Sequence, residues 1–555
     1  MENRDFPSSG SFRYIILLLI LFFCCQISSA QDWQWSVPFT GKKGSTRAFL
    51  WIPPDCKQVR GMILAQHNME EISILEDSNF RKEMGGIGFA EVWISPSYNH
   101  FFNFKEGAGE VFNAFMDSLA SISRYSELRY APVVGIGHSA AASWPYYFAA
   151  WNPTRTLACI SVSGQWPYVR NQFAPDIWSA GQSVDFIPCL ETMGEYEAAD
   201  TWSGEGLKER KEHPLMPLSM LAAPAEGHFA SSERKNAFIA FYIKKAVEYR
   251  LPKNQVPGEP VVLKPIDPTK SGWLADKWRK DKAPSAPAAP VKKYTGNADE
   301  AFWYFDEETV REVEKYGALY RGLKPQLVGF MQEGKMVPQK STHLQVDPKF
   351  MPKEDGVTFN LEAAFYDTVP DGSPRLPNWS GLPAGSLIGH SQIIESVKIE
   401  RICGPFRKLS SNTFMLQLCR GTEVTNNNYV FTFAAKHPGD SEYKAAVQQG
   451  QMTIPTILTE GTKQTITFPV IPNQKVDTKK LILNATSDAG VPVYYFVLEG
   501  PAEVEGNVLR YTKIPPKAKY PLKVTVVAWQ YGRSFEPKLK SAQSVERSFL
   551  ILKAK

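Results

Sequence analysis

Between about residues 45 and 250 the chain alternates two kinds of hydrophobic spacing. The runs RAFLWIP (47–53), VRGMILAQ (59–66) and FAEVWISP (89–96) have the length and apolar density of buried strands. EVFNAFMDSLASISRY follows over 110–125, with apolar residues at 111, 112, 115, 116, 119 and 122, which is the stripe of a one-sided helix. The alternation then repeats. PVVGIG reads as strand, SAAASWPYYFAAW as helix, TLACISVSG, IPCLETMG and LSMLAAPAEG as strands, and SERKNAFIAFYIKKAVEY as helix. Continuous apolar runs separated by helices predict an α/β unit over 31–250: a mainly parallel, doubly wound sheet covered on both faces.

From Leu251 the pattern breaks. Prolines stand at 252, 257, 260, 265 and 268, and APSAPAAP fills 283–290, so 251–300 is expected to be a Pro-rich linker. FDEETVREVEKY (305–316) reads as one helix, after which strand-like runs dominate: HLQV, VTFNLEAAFYDT, QIIESVKIERI, TFMLQL and YVFTFAAK. The last hundred residues alternate polar and apolar positions between turn signals. The expectation is a β-rich accessory domain over 301–460 and an Ig-like β-sandwich over 461–555.

The length, 555 residues, calls for more than one core, and a composition 43% hydrophobic and 21% charged is that of a chain that buries them. One run stands apart, YIILLLILFFCC (14–25), preceded by Arg13 and followed by QISSAQ. It is too short to span a bilayer and ends in small residues, so 1–30 is expected to be a cleaved signal peptide and the mature chain a secreted or periplasmic protein without a membrane span. Its charges cancel, leaving the net +5 of the whole chain, a mild bias that does not suggest a nucleic-acid partner. Cys403 and Cys419 lie in apolar runs separated by a turn, which leaves one disulfide open. Cys159 and Cys189 read as buried thiols. No Cys/His spacing suggests a metal, and no cofactor is expected.

The chemistry begins at Gly137-His138-Ser139-Ala140-Ala141, directly after the strand PVVGIG. A serine hydroxyl becomes a nucleophile when a base takes its proton and the developing oxyanion meets donors. A strand, a sharp turn and a helix provide part of this, provided the residues two before and two after the serine are small, as Gly137 and Ala141 are. The pattern resembles the nucleophile elbow of the α/β-hydrolase superfamily, with Ala141 where the usual motif has Gly. That resemblance covers 45–250 and implies a Ser-acid-His order. His228, in PAEGHF after the last strand, matches the base. Glu197 matches the acid, with Glu195 as the alternative. ILAQHN (63–68) matches the loop that supplies an oxyanion donor, so the backbone N–H groups of Met69 and Ala140 are implied to form the hole. A second Gly-His-Ser, at 389–391, lacks the small residue two positions on, having Ile393, and is rejected.

Loops at the carboxyl edge of such a sheet select substrate. Tyr98, Phe101, Trp166, Tyr168 and Trp202 are candidates to stack on sugar rings or an aromatic acyl group, and Arg170 to meet a carboxylate. With the expected export and β-rich appendages, the chain resembles secreted modular carbohydrate esterases, which implies hydrolysis of acetyl, feruloyl or methyl esters on plant-type polysaccharides, or of small esters. A peptidase or polyester depolymerase using the same triad stays open, as does a non-catalytic carbohydrate-binding or scaffold protein. Oligomeric state is not legible.

Overall fold

The computed structural model describes residues 33–41, 44–169, 174–229, 232–340, 345–372, 375–394, 397–422 and 424–554. At its centre lies one eight-stranded sheet: β1 (Trp35–Gly41), β2 (Gly44–Trp51), β3 (Gly61–Gln66), β4 (Phe89–Ser95), β5 (Val133–His138), β6 (Thr156–Val162), β7 (Cys189–Gly194) and β8 (Leu218–Ala223). The order across the sheet is 1-2-4-3-5-6-7-8. β1 and β4 pair antiparallel with β2, and every other pairing, from β4–β3 to β7–β8, is parallel. This order with its antiparallel second strand is the α/β-hydrolase fold. β3 to β8 are buried residue for residue, as their unbroken apolar runs predicted.

Helices cover both faces. Ala108–Ser123 and Trp144–Trp151 lie over one, where Phe112, Phe115, Leu119 and Phe148 pack with Leu50, Leu64 and Val133. Ser78–Gly86 and Glu233–Arg250 lie over the other, where Phe80, Ile239 and Ile243 pack with Ile63, Val134 and Ile160. β1 falls before the region in which alternation was read. It is an edge strand containing Pro38, a residue that an edge tolerates and that blurs the pattern.

The stretch read as a linker does not hang free of the sheet. Trp273–Asp276 pairs with Ala289–Pro290 on one side and Ala301–Tyr304 on the other. Ser219 of β8 donates to the Trp303 carbonyl at 2.6 Å, and the Tyr304 hydroxyl donates to the Met220 carbonyl at 2.7 Å. The prolines there keep its path irregular, and most of its residues are exposed or half-buried, with Leu251, Ile266, Leu274 and Ala275 among the few that are enclosed. The helix expected over 305–316 runs Glu307–Gly317, capped by the Asp306 carboxylate on the Thr309 N–H.

Beyond it the strands form small sheets. One has Asn428–His437 between Ala446–Pro455 and Lys398–Cys403, and the largest after residue 460 has Leu522–Trp529 between Tyr494–Glu499 and Val545–Leu552. The strand Ala446–Pro455 was not expected. Cys419 is a free thiol with Sγ 3.4 Å from Thr422 Oγ1, so the bridge to Cys403 left open by the sequence is not formed. Among the described residues no helix is long and apolar enough to cross a membrane. All of them belong to one compact unit.

Candidate active site

β5 ends at His138, and the next residue, Ser139, has φ +51°, left-handed backbone that serine adopts only when its surroundings impose it. The packing supplies the constraint. A Cβ on Gly137 would run into the Ala141 carbonyl and lie 2.9 Å from the Trp144 indole, while Ala141 is itself fully buried. The Trp144 Nε1–H donates to the Ile136 carbonyl at 3.0 Å, fixing helix to strand. The chain therefore turns within one tight 3-10 turn, Ser139–Ala141, and presents Ser139 at the carboxyl edge of the sheet.

Two neighbouring loops converge on it. After β7 the turn Glu195–Glu197 is followed by Ala198 at φ +71°, and after β8 a short loop leads to His228. The loops touch: Tyr196 N donates to the Glu226 carbonyl at 3.0 Å, and a Cβ on Gly194 would collide with that same carbonyl. His228 Nε2 lies 2.7 Å from Ser139 Oγ, and its Nδ1 lies 2.9 Å from Glu197 Oε2. The imidazole and the carboxylate are 5% and 8% exposed, so little water competes for either contact. Glu197 is thus the acid that reaches the histidine. Glu195 turns away, accepting from Ala225 N at 2.9 Å and holding Lys444 Nζ at 3.1 Å.

Beneath the base lies a buried polar layer. His138, kept neutral because burial pushes its pKa well below the usual range, donates from Nε2 to the His228 carbonyl at 2.9 Å. The Glu226 carboxylate accepts from Ser232 Oγ at 2.7 Å and from the Tyr316 hydroxyl at 2.9 Å. Lys235 Nζ sits 3.1 Å from Glu70 Oε2, a pair with no water to screen it.

The expected oxyanion donors divide. Ala140 is exposed immediately after the serine. Met69 is a correction: its N–H donates to Glu71 Oε2 at 2.8 Å, and Glu71 Oε1 accepts the His138 N–H at 2.8 Å. Asn68 uses its side chain to donate to the His138 carbonyl at 2.8 Å, stitching this loop to the elbow.

Of the five proposed aromatic contacts, Trp166 and Tyr98 are buried and Phe101, Tyr168 and Trp202 are half-buried. Trp166 is fully buried, stacked 5.6 Å from Phe302, with its Nε1–H given to the Trp202 carbonyl at 2.9 Å. Tyr98 is 4% exposed among Phe39, Phe102 and Phe115. Tyr168 lies flat on His213 at 3.6 Å and accepts the Val184 N–H on its hydroxyl. Both Phe101 and Trp202 are half-buried against the same core. Trp166, Tyr98 and Tyr168 pack the loops because their indole and phenol groups find internal partners. Arg170 lies outside the described residues.

Three contacts reach the site from far along the chain and were not foreseen. Arg375 Nη1 binds Glu197 Oε1 at 2.8 Å. Gln449 Oε1 accepts the N–H of Phe229, next to the histidine, at 2.7 Å. Trp379 stacks on Tyr196 at 3.8 Å and donates to its carbonyl. Among the described residues no group of three or more His, Cys, Asp or Glu side chains is placed to hold a metal.

No family model and no curated protein matches the chain. Solved structures do. FphF, a fluorophosphonate-binding serine hydrolase of Staphylococcus aureus, is 11% identical over 38% of this chain and 97% of its own, with a TM-score of 0.28. An S-formylglutathione hydrolase from Agrobacterium tumefaciens is 13% identical over 38% of this chain and 94% of its own, at 0.29. A dienelactone hydrolase from Anabaena variabilis is 14% identical over 40% of this chain and 98% of its own, at 0.26.

Proposed function

We propose that the protein is a serine hydrolase of carboxylic esters. The observation that carries this reading is the continuous chain of contacts Ser139 Oγ to His228 Nε2 at 2.7 Å and His228 Nδ1 to Glu197 at 2.9 Å, set at the strained elbow after β5. Ser139 Oγ would bond to the ester carbonyl carbon while His228 Nε2 takes its proton, and Glu197 would hold the other ring nitrogen and offset the imidazolium charge. The carbonyl oxygen becomes an oxyanion, and while Glu71 engages Met69 the Ala140 N–H is the donor that the elbow offers it. The imidazolium then protonates the leaving alcohol. Water, deprotonated by the same nitrogen, cleaves the acyl-serine to release the acid.

The finer reading is an exported esterase acting on acetyl, feruloyl or methyl esters of plant-type polysaccharides. The leader expected over 1–30 and the β-rich regions that follow the hydrolase sheet support it by architecture. With Trp166 and Tyr98 buried, sugar contacts fall to other residues. The test compares the unaltered protein with Ser139→Ala on p-nitrophenyl acetate. A loss of about 10⁴-fold or more is expected, and equal rates in the two proteins overturn the hydrolase reading. Acetate, ferulate or methanol release from esterified xylan and pectin, set against peptide and polyester substrates, then decides the substrate class.

A further inference from the structure

The residues that hold the acid and base loops come from two parts of the chain, and we infer that Arg375 and Gln449, both outside the hydrolase sheet, are positioning residues of the Ser139–His228–Glu197 site. The inference rests on the hydrolase reading above and extends the site into the β-rich region. Arg375, at the start of the helix Arg375–Ser380, binds the Glu197 oxygen that does not face the histidine. The carboxylate is thereby held at both oxygens, one by a guanidinium and one by the imidazole, a geometry that fixes its plane against the ring. Gln449 lies in the strand Ala446–Pro455 and is 1% exposed. Its amide oxygen binds the N–H directly after His228, and its amide nitrogen packs so closely on Gly227 that a Cβ there would lie 2.8 Å from it.

Arg375 also acts through charge. Among the described residues, the groups facing the histidine and its acid include Glu197 itself and the neutral His138. Glu195 beside them is compensated by Lys444 and Lys280, and Glu70 and Glu226 beneath by Lys235 and Arg234. A guanidinium on Glu197 offsets part of the negative charge that faces the imidazole. Gln449, uncharged, contributes position alone.

The experiment measures the rate at which a fluorophosphonate labels Ser139 in the full chain as a function of pH. In that reaction the serine oxygen bonds to phosphorus, fluoride leaves and His228 accepts the proton, so no natural substrate is needed. For Arg375→Ala the low-pH limb is expected to move up by about 0.5 to 1 unit, with a plateau about 5-fold lower. Arg375→Lys should recover most of the limb position. Gln449→Met, similar in length but without the acceptor, should lower the plateau about 5-fold or more and leave the limb in place. An unmoved limb in Arg375→Ala, or an unchanged plateau in Gln449→Met, overturns the assignment of that residue while the hydrolase reading stands. Absence of labelling at Ser139 in the unaltered protein overturns both.

Discussion

Glu71 sits between the elbow and the loop after β3, fully enclosed, with its carboxyl group accepting the N–H groups of Met69 and His138. Those N–H groups favour the charged form and burial opposes it; burial prevails, pushing the pKa up to about 7 from the ordinary 4.5. A carboxyl raised in the folded state binds more protons there than in the unfolded chain. Its contribution to stability is therefore full below pH 4.5 and is lost as pH rises through 7. The loss is on the order of 3 kcal/mol for a shift of this size. Glu91 and Glu209, both raised to about 8 by burial, act with the same sign. Thermal midpoints are expected to fall between pH 4.5 and 8, and Glu71→Gln should flatten the curve between 4.5 and 7 even though the amide satisfies the two N–H groups less well. A slope identical to that of the unaltered protein would show that Glu71 is ionised throughout.

At the scale of elements, the helix Glu233–Arg250 begins at a residue that also supports the base. Ser232 Oγ accepts the Lys235 N–H at 3.0 Å as an N-cap and donates to the Glu226 carboxylate at 2.7 Å, two residues before His228 in the chain. Ser232→Ala removes both bonds, so a loss of about 2 kcal/mol is expected, read as a lower urea midpoint with an unchanged m-value. Ser232→Thr should keep most of it. The order of strands and helices was legible because buried parallel strands write themselves as unbroken apolar runs, and the elbow was legible because its turn restricts residues 137 and 141 to small side chains. Part of what was not legible has one physical cause. The strand Ala446–Pro455 reads AVQQGQMTIP, and its first two glutamines are buried because they bond to other parts of the chain, Gln449 to the Phe229 N–H and Gln448 to the amide of Gln339. A buried polar side chain with a distant partner has the local signature of a loop. Met69 differs, since the carboxylate that captures its N–H lies only two residues on, and it is the burial of Glu71 that the sequence does not show.

At the scale of the whole molecule, the described regions interlock rather than hang in series. Arg420, 4% exposed, donates to the carbonyls of Trp33, Gly500 and Ala502 at once, joining the start of the hydrolase unit to the C-terminal sheets. Lys517 binds Glu127 at 2.9 Å, and Arg47 of β2 binds Glu499 at 3.2 Å, across the same contact. The apolar core under the Ala108–Ser123 helix continues into Val524, Val526 and Phe549. Such coupling predicts one calorimetric unfolding transition for the full chain. Arg420→Ala strands three carbonyls and should lower stability by about 3 kcal/mol or more. Separate melting of residues 461–555 would contradict the interlocked arrangement.

The reach of Arg375 and Gln449 also sets a sequence in time. A ribosome adding about 5–20 residues per second completes Ser139, Glu197 and His228 roughly 10 to 40 s before residue 449 emerges. During that interval the nascent chain carries Ser139, Glu197 and His228 without the guanidinium and amide that contact this cluster in the full chain. On the proposed reading, reactivity ripens last, and a chain interrupted in the middle leaves behind a fragment slower than the finished protein.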